Sequence, residues 1–192
     1  MAKKNEFKPD RFRSDILGKL ILTKKERMSV TRWVLFSLVC LAALIVQDVA
    51  LYRLTVYEAC TDIAPCLIIM VAVMQGGESG SIFALIAACI FYFSGSAPGV
   101  YAIPLITIPA VFVAIFRQGS MRKGFITILL CSAAGMLMYE MGVFGIGLFL
   151  GQTTVERLPQ MLLTAALSMI VVPLVYPILL AIGKIGGETW IE

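Results

Sequence analysis

The sequence predicts an all-α integral membrane protein, folded as a compact bundle of six transmembrane helices. Of its 192 residues, 59% are hydrophobic and only 15% are charged, and the mean hydropathy is +0.91. Soluble domains are about half apolar and about one-quarter charged. Because the apolar residues fall into six separate runs, little of the chain remains for a soluble domain.

Each predicted span is an apolar run close to the length that a helix needs to cross lipid, about 20 residues. The runs are residues 32–51, 60–75, 80–95, 99–116, 124–143 and 158–183. Three of the connections are short and read GGESG, SGSAPG and RQGSMRKG. Helices joined this tightly lie antiparallel to their neighbours, which predicts a single transmembrane domain over residues 32–183.

The distribution of Lys and Arg predicts the orientation, because positively charged residues stay on the cytoplasmic side. With the N-terminus in the cytoplasm, all of the 16 Lys and Arg except Arg53 and Arg157 fall in cytoplasmic segments. We therefore expect both termini to be cytoplasmic, with a basic tail over residues 1–31 and a short tail over residues 184–192.

The basic tail contains a second pattern over residues 14–27, SDILGKLILTKKER. Its apolar residues recur at helical spacing, with Lys and Arg on the other faces. These apolar residues are Ile16, Leu17, Leu20 and Ile21. The pattern predicts an amphipathic helix that lies on the membrane surface and binds anionic lipid. The alternative is a solvated tail that serves only as a topology signal.

Acidic residues at membrane depth are costly, so they are candidates for function. Four of them fall near predicted span ends, namely Asp48, Asp62, Glu78 and Glu140. Either interfacial water solvates them, or they bind a partner or ligand. Glu140 is the strongest candidate, because apolar sequence continues past it to residue 151. If that segment folds back into the bilayer, Glu140 is buried and needs a partner such as Arg157 or Arg53.

No catalytic or metal-binding pattern is found in the sequence. There is no histidine, and the five cysteines occur singly without a CxxC pair, which is typical of small core residues. No GxSxG, HExxH or Walker-type motif occurs, and the basic residues lack the interleaved aromatic residues of a nucleic-acid site. We therefore predict no enzyme activity, catalytic residue, metal, cofactor or nucleic-acid partner. Cys60 and Cys66 are close enough to bridge in an oxidising compartment.

Small residues recur every four positions in the third run, which gives a smooth stripe for close helix contact. The stripe consists of Gly76, Gly80, Ala84 and Ala88. It contacts either another helix of the bundle or another protein. Five prolines also lie inside the runs, where a proline removes a backbone hydrogen bond and bends a helix. They are Pro65, Pro104, Pro109, Pro173 and Pro177.

The stretch SGSAPGVYAIP, residues 94–104, has the residues of a tight turn and no Lys or Arg for a phosphate. Together with the glycine-bearing turn before it, the helix GSIFALIAACIFYF and the basic loop RQGSMRKG, it resembles the rod-shape-determining MreD family of bacterial membrane proteins. The resemblance covers nearly the whole chain. Family members commonly carry an aspartate shortly before the Pro-Gly turn, where this sequence reads FYFS, so no role of that acid is carried over.

The resemblance implies a protein of the bacterial plasma membrane without catalytic activity. It would bind the single-span scaffold MreC and, indirectly, the MreB filament and the elongation-phase wall synthases, and so direct lateral peptidoglycan synthesis and cell shape. It also implies partner-facing roles for the small-residue stripe, for Pro98, Gly99 and Tyr101 of the turn, and for Glu140.

A second resemblance is to the substrate-binding S components of energy-coupling-factor vitamin transporters, which are similar in size, span number and overall helix arrangement. Their usual AxxxA pattern is missing from the first run, where no alanine follows four residues after Ala42 or Ala43. This alternative predicts a polar vitamin pocket with aromatic walls near the outer face. The candidates for those walls are Tyr52, Tyr57, Tyr92, Tyr101 and Tyr139.

Overall fold

The computed structural model describes residues 24–49, 60–120 and 124–185. Within these ranges every regular element is helical. The helices are α1 (Lys24–Val49), α2 (Ile63–Gln75), α3 (Gly77–Phe93), α4 (Ala102–Ser120), α5 (Phe125–Phe149), α6 (Leu158–Met169) and α7 (Val171–Gly183). The predicted surface helix over residues 14–27 lies almost entirely outside the described residues, as do Arg53 and most of the C-terminal tail.

Four helical segments of the described chain are long and apolar enough to cross a membrane. They are Glu26–Val49, Ala102–Gly119, Phe125–Phe149 and Val155–Gly183. The last of these combines a short 3-10 turn, Val155–Arg157, with α6 and α7. Helices α2 and α3 are apolar but shorter, with 13 and 17 residues. The protein is therefore a multi-pass membrane protein.

Helix α2 lies at the centre of the molecule. Its residues 64–74 are all buried, and it contacts each of the other six helices. The sequence explains this position, because IAPCLIIMVAVMQ is apolar on every face up to its last residue, and a helix that is apolar all round is buried. The helices around α2 instead present apolar side chains outward, such as Leu38 of α1 and Ile126 of α5.

The stripe of small residues makes an internal contact. One residue, Gly76, joins α2 to α3 with a φ of +89°, a conformation that favours glycine. The α3 backbone then passes so close to α2 that a Cβ on Gly80 would collide with the carbonyl oxygen of Ala72. Ala84 and Ala88 are fully buried as well. Of the two alternatives for the stripe, the structure shows the internal one, and these four residues offer no exposed surface to a partner.

Arg117 of α4 binds the C-terminal end of α2. The buried guanidinium of Arg117 donates hydrogen bonds to the carbonyl oxygens of Val73 and Met74, the latter at 3.2 Å. The last carbonyls of a helix have no partner within the helix. Arg117, which the sequence suggests only as a topology residue of the basic loop, is therefore part of the packing of α2.

Two predicted spans have different bounds in the structure. Helix α5 continues to Phe149 in place of ending at residue 143, so the segment after Glu140 extends the helix and does not fold back. The predicted span 158–183 is interrupted at Ile170. Pro173, in the first turn of α7, has no N–H for the carbonyl four residues earlier, which accounts for the interruption.

All five predicted prolines lie within helices, but two of them lie in a helix interior and three in a first turn. Pro109 lies inside α4, and Pro177 lies inside α7. Pro65, Pro104 and Pro173 each occupy the third position of a helix. The first N–H groups of a helix have no partner within it, so a proline there removes no hydrogen bond from its own helix.

Candidate functional site: a polar cavity at the N-terminus of α2

A cavity of about 580 Å³ lies beside the N-terminus of α2, and we call it the polar cavity. Its lining residues are Gln47, Asp48, Cys60, Thr61, Asp62, Phe91, Ser94, Gly95, Ser96, Ala97, Pro98, Tyr139 and Val143. The volume falls in the range of small-molecule sites, about 300–1,000 Å³. Among the described residues, the lining holds two acids and no Lys or Arg.

Two polar side chains from other helices satisfy the first N–H groups at the start of α2. The Oε1 atom of Gln47, in α1, accepts a hydrogen bond from the backbone N–H of Ala64 at 2.7 Å. The Oγ atom of Ser168, in α6, accepts one from the N–H of Asp62 at 2.9 Å and donates to the carbonyl of Thr164. Because these groups hold the helix start, the carboxyl of Asp62 is not used as its cap.

Asp62 lines the polar cavity and Glu140 lines a second cavity beside it, and these two acids, far apart in the sequence, interact in the structure. The Nε2 of Gln47 donates a hydrogen bond to Oδ1 of Asp62 at 3.4 Å, and Glu140 is only 6% exposed. Glu140 is thus buried although the segment after it extends the helix and does not fold back, and the charged group that interacts with it is another acid.

A serine-rich turn forms the rim of the cavity. The Oγ of Ser96 donates to Oδ1 of Asp48, at the end of α1, at 2.7 Å, and the Oγ atoms of Ser94 and Ser96 are 2.9 Å apart. The connection SGSAPG is a turn, as the sequence predicts. It fixes the end of α1 to the start of α4 and places its hydroxyl groups at the cavity.

The three turn residues predicted to face a partner have different positions. Pro98 is exposed and lines the polar cavity. The hydroxyl of Tyr101 donates to the carbonyl of Pro98 at 3.0 Å. A Cβ on Gly99 would collide with the Tyr101 ring, so glycine at that position allows the ring to close the turn. Gly99 and Tyr101 therefore support the turn, and Pro98 presents a surface.

A second cavity, of about 280 Å³, is lined by Glu140. Tyr101, Arg157 and Gln160 are among the residues that line it. Arg157 is thus near Glu140, as the sequence suggests for its partner. However, Oε1 of Glu140 is buried and has no hydrogen-bond partner in the described structure, so Arg157 does not engage that oxygen.

Sequence reasoning identified part of this site. Asp48, Asp62, Pro98 and Glu140 come together at one end of the bundle, as does Tyr139 among the predicted aromatic walls. Gln47 and Ser168 were missed. The signal that could have found them is a polar residue within an apolar run, which does not by itself show which helix it contacts. Tyr92 is not part of the lining, and Tyr52 and Tyr57 lie outside the described residues.

The structure also bears on the expectations for the cysteines and for metal binding. Cys60 and Cys66 are free thiols, and the thiol of Cys66 is directed at the carbonyl oxygen of Ser168 at 3.5 Å. Within the described ranges, no group of three or more His, Cys, Asp or Glu residues is positioned to hold a metal ion.

No protein-family model, curated protein or solved structure matches the chain. Arguments about function therefore depend on its own residues, on the geometry above and on the resemblances in its sequence.

Proposed function

We propose that this protein is a non-catalytic scaffold of the bacterial cell-elongation complex, folded as a six-span bundle with both termini in the cytoplasm. It binds an MreC-like single-span scaffold and so helps to direct lateral peptidoglycan synthesis. Two findings support the proposal. The turn, the small-residue helix and the basic loop resemble the MreD family, and the chain is a multi-pass helical membrane protein.

The observation that carries the proposal is an apolar groove between α1 and α3, with a volume of about 420 Å³. It is lined by Trp33, Ser37, Ser79, Ile82, Phe83, Ile86, Ala87 and Ile90. Phe83 and Ala87 are buried at its floor, whereas Ile82 and Ile86 are 63% and 56% exposed. Helix α1 packs chiefly against α2, which leaves this groove open along the outside of the bundle.

The occupant that best fits the groove is one transmembrane helix. The α3 side extends from Ser79 to Ile90, about 16 Å at 1.5 Å per residue. Lipid tails are as apolar as the groove, so apolar surface alone does not favour a protein over lipid. Close packing favours a protein helix over lipid, and the small residues Ser37 and Ala87 let a helix backbone approach. A single-span partner supplies one such helix.

The proposed orientation places the remaining surfaces on one or the other side of the membrane. With the N-terminus in the cytoplasm, α1 ends on the outer side, so the polar cavity beside Asp48 opens outward. The basic N-terminal tail lies at the cytoplasmic face, where it contacts anionic lipid. The MreB filament is then reached indirectly, through the partner and the cytoplasmic face.

Blocking the groove tests this proposal. We expect Ile86→Trp to lower the amount of an MreC-like scaffold that co-purifies by about tenfold or more, since tenfold corresponds to about 1.4 kcal/mol of binding free energy. The measurement is quantitative immunoblotting after purification from the native cell.

The matched control is Ile126→Trp, which places the same side chain at an exposed position on α5, away from the groove. It should leave co-purification unchanged. Equal recovery of the partner with both variants would contradict the groove as the docking surface. Failure to recover any single-span scaffold with the unmodified protein would contradict the proposed function itself.

The polar cavity favours a second candidate function, that of an S component in a vitamin transporter. Its volume, its hydroxyl and carboxyl groups and the rings of Phe91 and Tyr139 are the features that such a pocket needs. Tight retention of a vitamin by the purified protein, together with an ATPase and a coupling subunit as partners, would favour this candidate over the scaffold.

A further inference from the structure

We propose that the second cavity is a binding site for a small zwitterionic group, a primary ammonium joined by a short carbon chain to a phosphate or a carboxylate. The source of the group is either the headgroup of an ethanolamine phospholipid or a free molecule such as an amino acid. The cavity lies between α5, α6 and the turn before α4. This inference goes beyond the proposed scaffold function and does not involve the groove between α1 and α3.

Glu140 supplies a buried acid to this cavity. Its side chain lines the cavity and is more than nine-tenths buried, and its Oε1 atom has no hydrogen-bond partner in the part of the chain that the structure describes. The charged group that interacts with Glu140 is a second acid, Asp62, which brings no positive charge. A buried carboxylate that lacks a cation or an N–H donor is costly. A ligand with such a donor in this cavity gives the Glu140 carboxyl the partner that it lacks.

Arg157 supplies a positive charge to the same cavity. It belongs to the 3-10 turn before α6, is exposed, and lines the cavity beside the polar side chains of Gln152 and Thr153. A guanidinium binds phosphate and carboxylate groups through parallel N–H donors. The acid and the base thus face one cavity without neutralising each other at Oε1 of Glu140. A cation alone pairs only with Glu140 and an anion alone only with Arg157, whereas a zwitterion pairs with both.

The size and the walls of the cavity favour a small organic group. Its volume of about 280 Å³ is just below the range of sites for drug-sized molecules, about 300–1,000 Å³. Val143, Phe144 and Met161 line it with apolar surface, which suits the carbon atoms between the two charges. A metal ion fits less well, since it needs several ligands around one point, and in the described ranges no three His, Cys, Asp or Glu residues are placed together.

The place of the cavity in the fold makes a lipid headgroup one of the two sources. The cavity lies where α5 ends at Phe149 and α6 begins at Leu158, and both helices belong to segments long enough to span a membrane. The ends of spans lie at the level of the polar headgroups. Phe149 and Val155 at this end are 90% and 67% exposed. They offer apolar surface to the acyl chains of a lipid whose headgroup enters the cavity.

Two phospholipids that differ only at the nitrogen test the site. The purified full-length protein is placed in nanodiscs that contain equal amounts of palmitoyl-oleoyl phosphatidylethanolamine and palmitoyl-oleoyl phosphatidylcholine. Both lipids carry the same phosphate, but the choline nitrogen has no N–H to donate to Glu140. We expect the protein to retain the ethanolamine lipid in about fivefold excess or more, measured by native mass spectrometry after release from the nanodisc.

The variants separate the two ends of the ligand. Glu140→Gln keeps the shape of the side chain and removes its charge, so the excess should fall to about twofold or less. Arg157→Gln should lower the retention of both lipids and keep their ratio, because both carry the phosphate. Glu156→Gln changes an exposed acid outside the lining and should leave both lipids unchanged. The ratio is measured within one sample of folded protein, so a lower yield of Glu140→Gln does not affect it.

Thermal unfolding in detergent distinguishes a free molecule from the lipid. An excess of the ethanolamine lipid that depends on Glu140 indicates the headgroup. A higher unfolding temperature in free alanine, but not in sodium propionate or ethylammonium chloride, indicates a free zwitterion if it is lost in Glu140→Gln. The proposal is overturned if neither effect occurs, or if the observed effect persists in Glu140→Gln, whatever the groove experiment shows.

Discussion

Replacing Gly80 by leucine is expected to abolish the folded protein, which should be lost from the monodisperse fraction after detergent extraction. A Cβ at this position would collide with the carbonyl oxygen of Ala72 in the backbone of α2. Backbone atoms of a central helix cannot move aside as a flexible side chain does. Even Gly80→Ala should lower the free energy of unfolding by about 1–3 kcal/mol, the usual cost of overpacking a core. Size-exclusion chromatography and thermal unfolding in detergent measure both effects.

The control is Gly145→Leu in α5, where a Cβ would meet no atom within 4 Å. Leucine also favours helix over glycine by roughly 0.5–1 kcal/mol, so this variant should be as stable as the unmodified protein or slightly more stable. If Gly80→Leu and Gly145→Leu were equally stable, α2 and α3 would not be in close contact, and the internal role of the stripe would be wrong.

Removal of the Arg117 guanidinium should have the next largest effect. Arg117→Met keeps much of the side-chain volume but leaves the carbonyl oxygens of Val73 and Met74 without this donor in a buried position. An unsatisfied buried polar group costs about 1–3 kcal/mol. We therefore expect the free energy of unfolding to fall by about 2–4 kcal/mol, measured as a lower unfolding temperature in detergent.

Arg157→Met is the matched control, since Arg157 is exposed and surface substitutions usually change stability by less than about 0.5 kcal/mol. An unfolding temperature of Arg117→Met equal to that of Arg157→Met would show that Arg117 does not stabilise the end of α2. Both variants remove one positive charge, so a difference between them is not an effect of net charge.

Both predictions concern the C-terminal end of α2, the helix that links the fold to the candidate site. Arg117 satisfies the C-terminal carbonyls of α2, and Gln47 and Ser168 satisfy its first N–H groups. Helix α2 in turn places Asp62 opposite Glu140. The position of the acid pair thus depends on the packing of a buried helix.

Local sequence patterns were sufficient for the class of the protein and for several contacts. Long apolar runs with few charges have no stable place other than a membrane or a buried core, so they predict helical spans directly. Spacing of four small residues predicts close helix contact, and Gly80 makes that contact with α2. The SGSAPG turn follows from the conformational preferences of glycine, serine and proline.

The sequence by itself determined that this is an all-α membrane protein with a turn at residues 94–99 and candidate acids at the ends of its apolar runs. Only the tertiary structure decided that α2 is central, that α5 continues past Glu140, and that Asp62 and Glu140 interact between two neighbouring cavities. The physical reason is the distance along the chain over which each effect acts. Periodicity and turn preference act over a few residues, whereas the neighbours of a buried acid depend on how distant helices pack together.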